Sequence, residues 1–481
     1  MAETLKQKTV SGFAYKMLER IGAQGVNFIV SIVLARLLMP EEYGLVSLVL
    51  VFITILDVFV TYGFGNSLIA NKNSDNIDFS TCFYFGIGLS FIVYALVYFG
   101  TPLIAVFYNN ELLTPVLRVM GLQIPIAAVN SVQHAYVSKH MMFRKFFIST
   151  SIGTVLSGVV AIAMAYNGFG VWALVEQFMG KVVCDTVCLW LIVEWRPICV
   201  FSVLRLKKIY EYGWKILVVG LIDTGYNQLR SLVIAKKYSS TDLAYYNKGN
   251  QFPSLGMSVI EPTINGVLFP ALSQCNDNQE EMKSITRRII MMSTYVVFPM
   301  MIGLIAVAKP LVIVLLTEKW LACVLFLQIG CLAFMLRPLQ FINNSVIKAA
   351  GESGLLLKLD VLKKTIGIVL LIISMNYGVE GIAISLVITN IISTFINIAP
   401  NRRILNYGYK AQFVDIGKSC VLAVIMGGVV YCISFLSIPA LPMLLLQLFV
   451  GAFFYIGVSY LTKNENFIYS IQIVKELRNK R

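Results

Sequence analysis

Long apolar runs recur along this chain from end to end, and they constrain its fold more than any other feature. An α-helix needs about 20 mostly apolar residues to cross a lipid bilayer. Only 13% of the 481 residues are charged and 58% are hydrophobic, whereas a soluble domain has about 25% charged residues. Such a chain lacks the polar groups that would cover a globular surface. We therefore predict an all-α polytopic membrane protein.

Fourteen segments are long and apolar enough to predict about 14 transmembrane helices. They are 14–37, 44–66, 79–106, 113–136, 146–166, 169–193, 213–236, 243–273, 286–307, 322–347, 356–375, 379–399, 417–436 and 440–462. The fourth contains Arg118, and the eighth is long and contains Lys248 and Glu261.

Lys and Arg are concentrated in alternate loops, and this asymmetry predicts the orientation. The loops around 139–145, 196–208, 283–288 and 402–410 are basic, and so is the tail after 475. Because short basic loops stay in the cytoplasm, both termini are predicted to be cytoplasmic. This topology accounts for most of the net charge of +14, so we expect no nucleic-acid partner.

The sequence shows no pattern that is typical of catalysis, metal binding or cofactor binding. The nine cysteines have no paired spacing, and the chain has only two histidines. We therefore expect no metal, no cofactor and no enzymatic activity. A membrane polysaccharide polymerase or ligase remains an alternative, but it usually presents a large outer loop, and the predicted outer loops here are short.

Two halves of the chain repeat each other. "SIVLAR" at 31–36 answers "SLVIAK" at 231–236, and "NSVQHA" at 130–135 answers "NSVIKA" at 344–349. Gly170 likewise corresponds to Gly381. The separation within each pair drifts only slightly, and the order of the pairs is the same in both halves. A six-helix unit that is duplicated keeps its orientation, which predicts two parallel lobes that rock about a central cleft.

The predicted domain organisation follows from this duplication. It comprises an N-lobe at 1–193, a cytoplasmic linker at 194–212, a C-lobe at 213–400, and a region at 401–481 with helices 13 and 14 and the basic tail. The linker is predicted to form a helix that lies on the cytoplasmic membrane surface.

Polar and charged side chains inside the predicted spans are the candidate functional residues. A charge at the centre of a bilayer costs about 2.5–3.5 kcal/mol, so it usually faces a cavity or a partner. Cationic and amide candidates share one face of helix one or helix seven, or lie within helices eight and ten: Lys16, Arg20, Asn27, Asn227, Arg230, Lys248 and Arg337. The acidic candidates for ion coupling are Asp57, Glu176, Asp223 and Glu261. Snorkelling of Lys16 and Arg20 to the interface, and structural pairing of Arg230 with Asp223, are the competing interpretations.

Three segments carry a family resemblance: "LARLLMPEEYGLVSL" at 34–48, "NGFGVWALVEQ" at 167–177 and "AYYNKGNQFP" at 244–253. They resemble Wzx-type oligosaccharide flippases, the polysaccharide transporters of the multidrug/oligosaccharidyl-lipid/polysaccharide (MOP) superfamily, in the branch that serves colanic and teichuronic acid export. The resemblance covers nearly the whole chain.

The resemblance implies a flippase of the bacterial cytoplasmic membrane that moves a polyprenyl-pyrophosphate-linked oligosaccharide to the outer leaflet by alternating access. It also implies a coupling ion, either proton or sodium, and polysaccharide assembly proteins as partners. The cationic candidates would replace the water and counterions of the pyrophosphate. The alternative within the same superfamily is a cation-coupled multidrug exporter.

Overall fold

A computed structural model describes residues 22–70, 74–275 and 278–469, and in these ranges the chain forms helices and connecting loops without a β-strand. The helices are α1 (Gly22–Leu37), α2 (Pro40–Ala70), α3 (Asn76–Tyr108), α4 (Leu113–Gly121), α5 (Gln123–Lys139), α6 (Phe143–Tyr166), α7 (Val171–Ile192), α8 (Val203–Lys237), α9 (Ser240–Gln274), α10 (Gln279–Leu316), α11 (Cys323–Met335), α12 (Arg337–Ala349), α13 (Ser353–Ser374), α14 (Gly378–Ile398), α15 (Asn401–Ile404), α16 (Tyr409–Cys432) and α17 (Ala440–Leu461).

The helices account for the predicted apolar segments. Within the described ranges, ten helical stretches are long and apolar enough to cross a membrane, and α1 is a shorter apolar helix. The helices α7, α8 and α13 are not among the ten, and each carries several charged side chains along its length. The protein is therefore an all-α polytopic membrane protein, as predicted, while the number of 14 crossings stays a prediction.

The segment predicted as a surface helix between the lobes has a different structure. Residues 193–202 are not helical, and α8 then runs without interruption from Val203 into the seventh apolar segment. The non-helical part is held in place because Gln133 donates to the carbonyl of Trp195 at 3.1 Å and the Ser80 hydroxyl accepts from the amide of Ile198 at 3.0 Å. Pro197 explains the absence of helix, since a proline disfavours the helical conformation in the residue before it.

The described residues form two compact units, of which the first ends at Ala244 and the second begins at Tyr245. In the first unit α6 packs along α7, and α2 packs against α5 and α8. In the second unit α10 packs against α11, α16 and α17, and α13 packs along α14. The helix α8, assigned to the C-lobe from the sequence, packs here against α2 and α3.

Helix boundaries recur at the spacing of the sequence repeat. The helices α1 and α8 end at Leu37 and Lys237, which are as far apart in the sequence as "SIVLAR" and "SLVIAK", and the starts of α2 and α9 keep this separation. The fourth and tenth apolar segments are broken at Leu122 and Leu336, which are as far apart as "NSVQHA" and "NSVIKA". A proline follows each break within three residues, and proline removes a helical hydrogen bond. These boundaries support the duplication; superposition of the two halves remains its test.

Candidate functional site

The predicted cationic and amide residues lie on several helices. Lys16 and Arg20 fall outside the described residues. Asn27 is half-buried on α1, and Asn227 is exposed on α8. Arg230 on α8 is 6% exposed and Lys248 on α9 is 5% exposed, while Arg337 is partly buried at the first position of α12.

Each of the three described cations lies near an aromatic ring. The guanidinium carbon of Arg230 is 6.0 Å from the centre of the Tyr226 ring. The amine of Lys248 is 5.6 Å from the centre of the fully buried Trp320 ring, and Arg337 approaches the Phe334 ring to 4.9 Å. Aromatic faces attract cations at such distances. Arg230 belongs to the first unit and the other two cations to the second, so neither unit alone contains the whole predicted set.

The acidic candidates also lie in separate places. Asp57 on α2 accepts a hydrogen bond from the Thr61 hydroxyl at 3.3 Å. Glu176 on α7 lies over Gly180, where a β-carbon would come within 2.3 Å of its carboxylate. Asp223 is exposed on α8, and Glu261 is half-buried on α9, which stays helical through Pro262. Their roles in ion coupling stay predictions.

A cavity of about 480 Å³ lies inside the first unit, between α2, α5, α6 and α7. Its polar lining comprises Thr61, Asn130, Ser131, His134, Ser138, Thr150, Lys181 and Asp185. Only His134, Lys181 and Asp185 among the lining residues are ionisable. An apolar bundle that encloses this many polar groups has a place for a polar ligand.

Three of these side chains form a compact hydrogen-bonded cluster, which we call the histidine cluster: Asn130, His134 and Asp185. The amide nitrogen of Asn130 lies 2.9 Å from Asp185 Oδ2 and 3.1 Å from His134 Nε2. His134 Nε2 is 3.4 Å from the same carboxylate oxygen. The hydroxyl of Thr150 reaches the other oxygen, Oδ1, at 3.4 Å.

Local sequence explains how the histidine cluster is assembled. Asn130 and His134 are four residues apart on α5, so they share one face of that helix. Gly153 on α6 allows α7 to come close, since a β-carbon there would lie 3.0 Å from the carbonyl oxygen of Lys181 and 3.1 Å from the amide of Asp185. The His134 ring stacks on Phe146, with 4.7 Å between ring centres, which fixes its orientation.

The second unit has a related cluster at the corresponding helices. The amine of Lys363 on α13 donates to Asn397 Oδ1 on α14 at 2.9 Å and lies 2.6 Å from Asp360 Oδ1. Asn397 in turn donates to the carbonyl of Gln340 on α12 at 3.5 Å. In the sequence, Thr150 is separated from Lys363, and Asp185 from Asn397, by nearly the distance that separates "NSVQHA" from "NSVIKA". By this spacing the two pairs occupy corresponding positions of the repeat.

Sequence reasoning did not include the histidine cluster or Lys181 among the candidates. The signal for Lys181 and Asp185 was present, because both are ionisable residues inside the sixth apolar segment and lie one helical turn apart. His134 was considered only as a metal ligand. In the described ranges no three His, Cys, Asp or Glu side chains are arranged to hold a metal ion.

A bundle of long apolar helices with polar cavities is the architecture of a membrane transporter, and comparisons with known proteins agree. Residues 33–325 match the family model described as "Polysaccharide biosynthesis protein". Since this match covers more than half of the chain, the protein belongs to that family. The predicted resemblance to a family of polysaccharide biosynthesis is thereby confirmed, and one relative is named as a transport protein.

Individual relatives are distant in sequence. The chain is 26% identical to the succinoglycan biosynthesis transport protein ExoT of Rhizobium meliloti, over 66% of this chain and 65% of that one. It is 24% identical to the lipopolysaccharide biosynthesis protein WzxC of Escherichia coli, over 86% and 85%. It is also 24% identical to the teichuronic acid biosynthesis protein TuaB of Bacillus subtilis, over 78% and 79%.

Two solved structures share the fold. The lipid II flippase MurJ, in an inward closed conformation, matches with a TM-score of 0.72 and 14% identity, over 95% of this chain and 99% of that one. An inward-facing multidrug transporter of the MATE family matches with a TM-score of 0.63 and 16% identity, over 82% and 98%.

Proposed function

We propose that this protein moves polyprenyl-pyrophosphate-linked oligosaccharides from the inner to the outer leaflet of the bacterial cytoplasmic membrane. The observation that supports this most is the polar cavity of the first unit, with Lys181 and His134 in its wall, inside a fold shared with a lipid II flippase. The names of three relatives refer to the biosynthesis of cell-surface polysaccharides.

The transport mechanism would follow from the cost of moving a pyrophosphate through a low-dielectric region. Lysine and arginine can replace the water and counterions of the anion by charge-assisted hydrogen bonds. We assign this role to Lys181 and to the predicted cations Lys16, Arg20, Arg230, Lys248 and Arg337, with Asn27 and Asn227 as hydrogen-bonding partners. The polyprenyl tail would stay in the bilayer, and alternating access would expose the head group to the outside.

The alternative is a cation-coupled multidrug exporter, which the structural match to a MATE transporter favours. A pocket for cationic drugs needs a surplus of acidic groups. In the cavity of the first unit one carboxylate, Asp185, faces both a lysine and a histidine. We therefore favour an anionic head group over a cationic drug.

The experiment that tests this proposal is a flipping assay in proteoliposomes. A fluorescent, short-chain polyprenyl-pyrophosphoryl oligosaccharide is incorporated, and a membrane-impermeant quencher reports the fraction in the outer leaflet. We expect faster equilibration than in protein-free vesicles and no acceleration for a phospholipid that carries the same fluorophore. Transport of ethidium without movement of the lipid-linked oligosaccharide would instead establish the multidrug exporter.

Orientation is tested separately, because the cytoplasmic location of both termini is part of the proposal. Reporter fusions at residues 200, 280 and 405 and at the C-terminus should report a cytoplasmic location, and fusions near 110, 240 and 315 an external one. An external C-terminus would contradict the even number of crossings.

A further inference from the structure

The histidine cluster contains one of the two histidines of this chain. Histidine is the residue whose ordinary titration falls between pH 5 and 8, and this chain has only two histidines, His134 and His140. His134 borders the cavity with 44% of its side chain exposed, beside Asp185, which is 15% exposed. His140 is exposed at the end of α5, with Nδ1 2.8 Å from the carbonyl of Tyr136.

The cluster has room for a neutral imidazole that carries its proton on Nδ1. The Asn130 amide nitrogen carries two hydrogens and has two neighbours, Asp185 Oδ2 at 2.9 Å and His134 Nε2 at 3.1 Å. It can donate to both only when Nε2 offers its lone pair. The amide nitrogen of Asn130 thus donates a hydrogen bond to the carboxylate and another to the imidazole at the same time.

A proton on His134 would rearrange these bonds. Nε2 would become a donor, and it already lies 3.4 Å from Asp185 Oδ2, close to hydrogen-bonding distance. The amide hydrogen of Asn130 that faced Nε2 would then lose its acceptor. Asn130 is buried, and its own carbonyl oxygen accepts no hydrogen bond from the described part of the chain.

We propose that Asn130, His134 and Asp185 form a proton-binding site that couples protonation of the cavity to binding of an anionic head group. This inference rests on the proposed function. The proton adds to Nε2, and no covalent bond between heavy atoms forms or breaks. With His134 neutral, Lys181 and Asp185 give the cavity lining a formal charge of zero; with His134 protonated, the charge is +1. A pyrophosphate is attracted more strongly to the second state.

Three helices packed around His134 present the side chains that face it. The helix α7 contributes Asp185 and Lys181, and α6 contributes Thr150 and the stacked ring of Phe146. The helix α2 contributes the neutral Thr61, whose hydroxyl links to Asp57.

The test measures binding as a function of pH with the full-length protein in detergent. The probe is a short-chain polyprenyl-pyrophosphoryl-N-acetylglucosamine, because its pyrophosphate diester stays fully ionised over this range. We expect the wild-type affinity to fall about tenfold between pH 5 and pH 8, which lies within the limit of about tenfold per pH unit that linkage to one proton sets. His134→Gln should bind with an affinity that changes less than about twofold over the same range.

His140→Gln is the matched control. It removes the second histidine, which lies outside the cavity, and it should keep the wild-type pH dependence. Thermal unfolding of the three proteins checks that each is folded. A His134→Gln variant that keeps the pH dependence, or wild-type binding that is equally strong at all pH values, overturns the proton site and leaves the flippase proposal intact. Absence of probe binding at every pH overturns both.

A second readout does not depend on affinity. Labelled histidine gives two imidazole signals in the NMR spectrum, and His140→Gln leaves only that of His134. Addition of the probe near neutral pH should shift the His134 signal towards the protonated form, because coupling is reciprocal. An unchanged signal in the presence of saturating probe contradicts the proposal.

Discussion

The two units place polar contacts at corresponding helices but use different chemistry there. In the first unit a carboxylate, Asp185, meets a histidine and an amide beside an open cavity. In the second unit the corresponding position holds the neutral Asn397, which binds the amine of Lys363. Lys363 is neutralised by Asp360 on its own helix. The first cluster combines a histidine with a carboxylate, whereas the second combines a lysine with its own counterion.

This difference indicates how a duplicated bundle can specialise. Both copies keep a hydrogen-bonded junction between the fifth and sixth helices of the repeat, which holds those helices in register. The first junction borders the cavity of the first unit, whereas Asn397 in the second junction is almost fully buried. We therefore expect the first junction to act in transport and the second to act in stability.

The largest expected effect is on transport. Asp185→Ala removes the acceptor of Asn130 and Thr150 and leaves the cavity lining with a charge of +1 even when His134 is neutral, so an anionic head group should be released slowly at every pH. We expect the flipping rate in proteoliposomes to fall about tenfold, the scale of one charge-assisted hydrogen bond. Asn397→Ala is the control in the second unit, and Lys363 keeps Asp360 there, so its flipping rate should stay near that of wild type. Equal loss in both variants would remove the functional distinction between the units.

The next largest effect is on stability, at a position where a glycine lets two helices come close in one half of the repeat. Gly44 in α2 has no room for a side chain, because a β-carbon would lie 1.9 Å from the carbonyl oxygen of Ser240 at the start of α9. Its repeat mate, at the separation of "SIVLAR" and "SLVIAK", is the buried Ala244. Gly44→Ala should destabilise the protein by about 3 kcal/mol, the upper end for overpacking.

Thermal unfolding in detergent measures this loss. Gly100→Ala on α3 is the matched control, since nothing lies within 4 Å of its β-carbon position, and it should unfold near the wild-type temperature. If Gly44→Ala were as stable as that control, the two helix starts would not be in contact.

A smaller effect distinguishes the ion pairs of the two units. In the second unit Arg287 makes two hydrogen bonds of 2.8 Å to Asp415, whose side chain is only 9% exposed. Arg287→Ala leaves this carboxylate buried, with Tyr407 as a remaining donor. We expect a loss of about 2 kcal/mol, less than for a fully buried pair because Arg287 itself is half-exposed.

The first unit provides the comparison for that ion pair. Arg205 contacts the half-exposed Asp75 at 2.5 Å and the more buried Asp78 at 3.2 Å. Because its shorter contact is to an exposed carboxylate, Arg205→Ala should lower the unfolding temperature less than Arg287→Ala does. The reverse order in the same melting assay would show that exposure does not decide the strength of these pairs.

The smallest expected effect is a difference in acid stability between two N-terminal helix caps. Asp75 caps α3, whereas Asn278 caps α10. The hydrogen bond from Arg205 lowers the pKa of the Asp75 carboxyl below its ordinary value of 3.8. Because this pKa is lower in the folded state, its stabilising contribution is complete above pH 3.8 and is lost as the pH falls through the folded-state pKa.

Amide hydrogen exchange, corrected for intrinsic rates, measures this difference between the caps. In acid the amides of Ile77 and Asp78 should lose protection, because both donate to the Asp75 carboxylate. The amide of Glu281, which donates to Asn278, should show no corresponding change. Equal behaviour at the two helix starts would contradict the role of Asp75 ionisation.

The features that could be predicted from the sequence are those that depend on neighbouring residues. The apolar runs indicated the membrane class, and the repeated phrases marked positions where helices later proved to end and break. The non-helical segment at 193–202 was missed, although Pro197 was a local signal for it. Glu176 was identified in the sixth apolar segment, but Lys181 and Asp185 in the same segment were not.

The sequence by itself determined the class of the protein, since a bilayer demands apolar helices of a certain length wherever they pack. It could not determine which polar groups meet. His134 and Asp185 are 51 residues apart, and Arg287 and Asp415 are 128 apart. Such contacts depend on which helices pack together, on glycines such as Gly153 that let backbones approach, and on the rotation of each helix about its axis. Only the tertiary structure decides these, because periodicity along one helix contains no information about its neighbour.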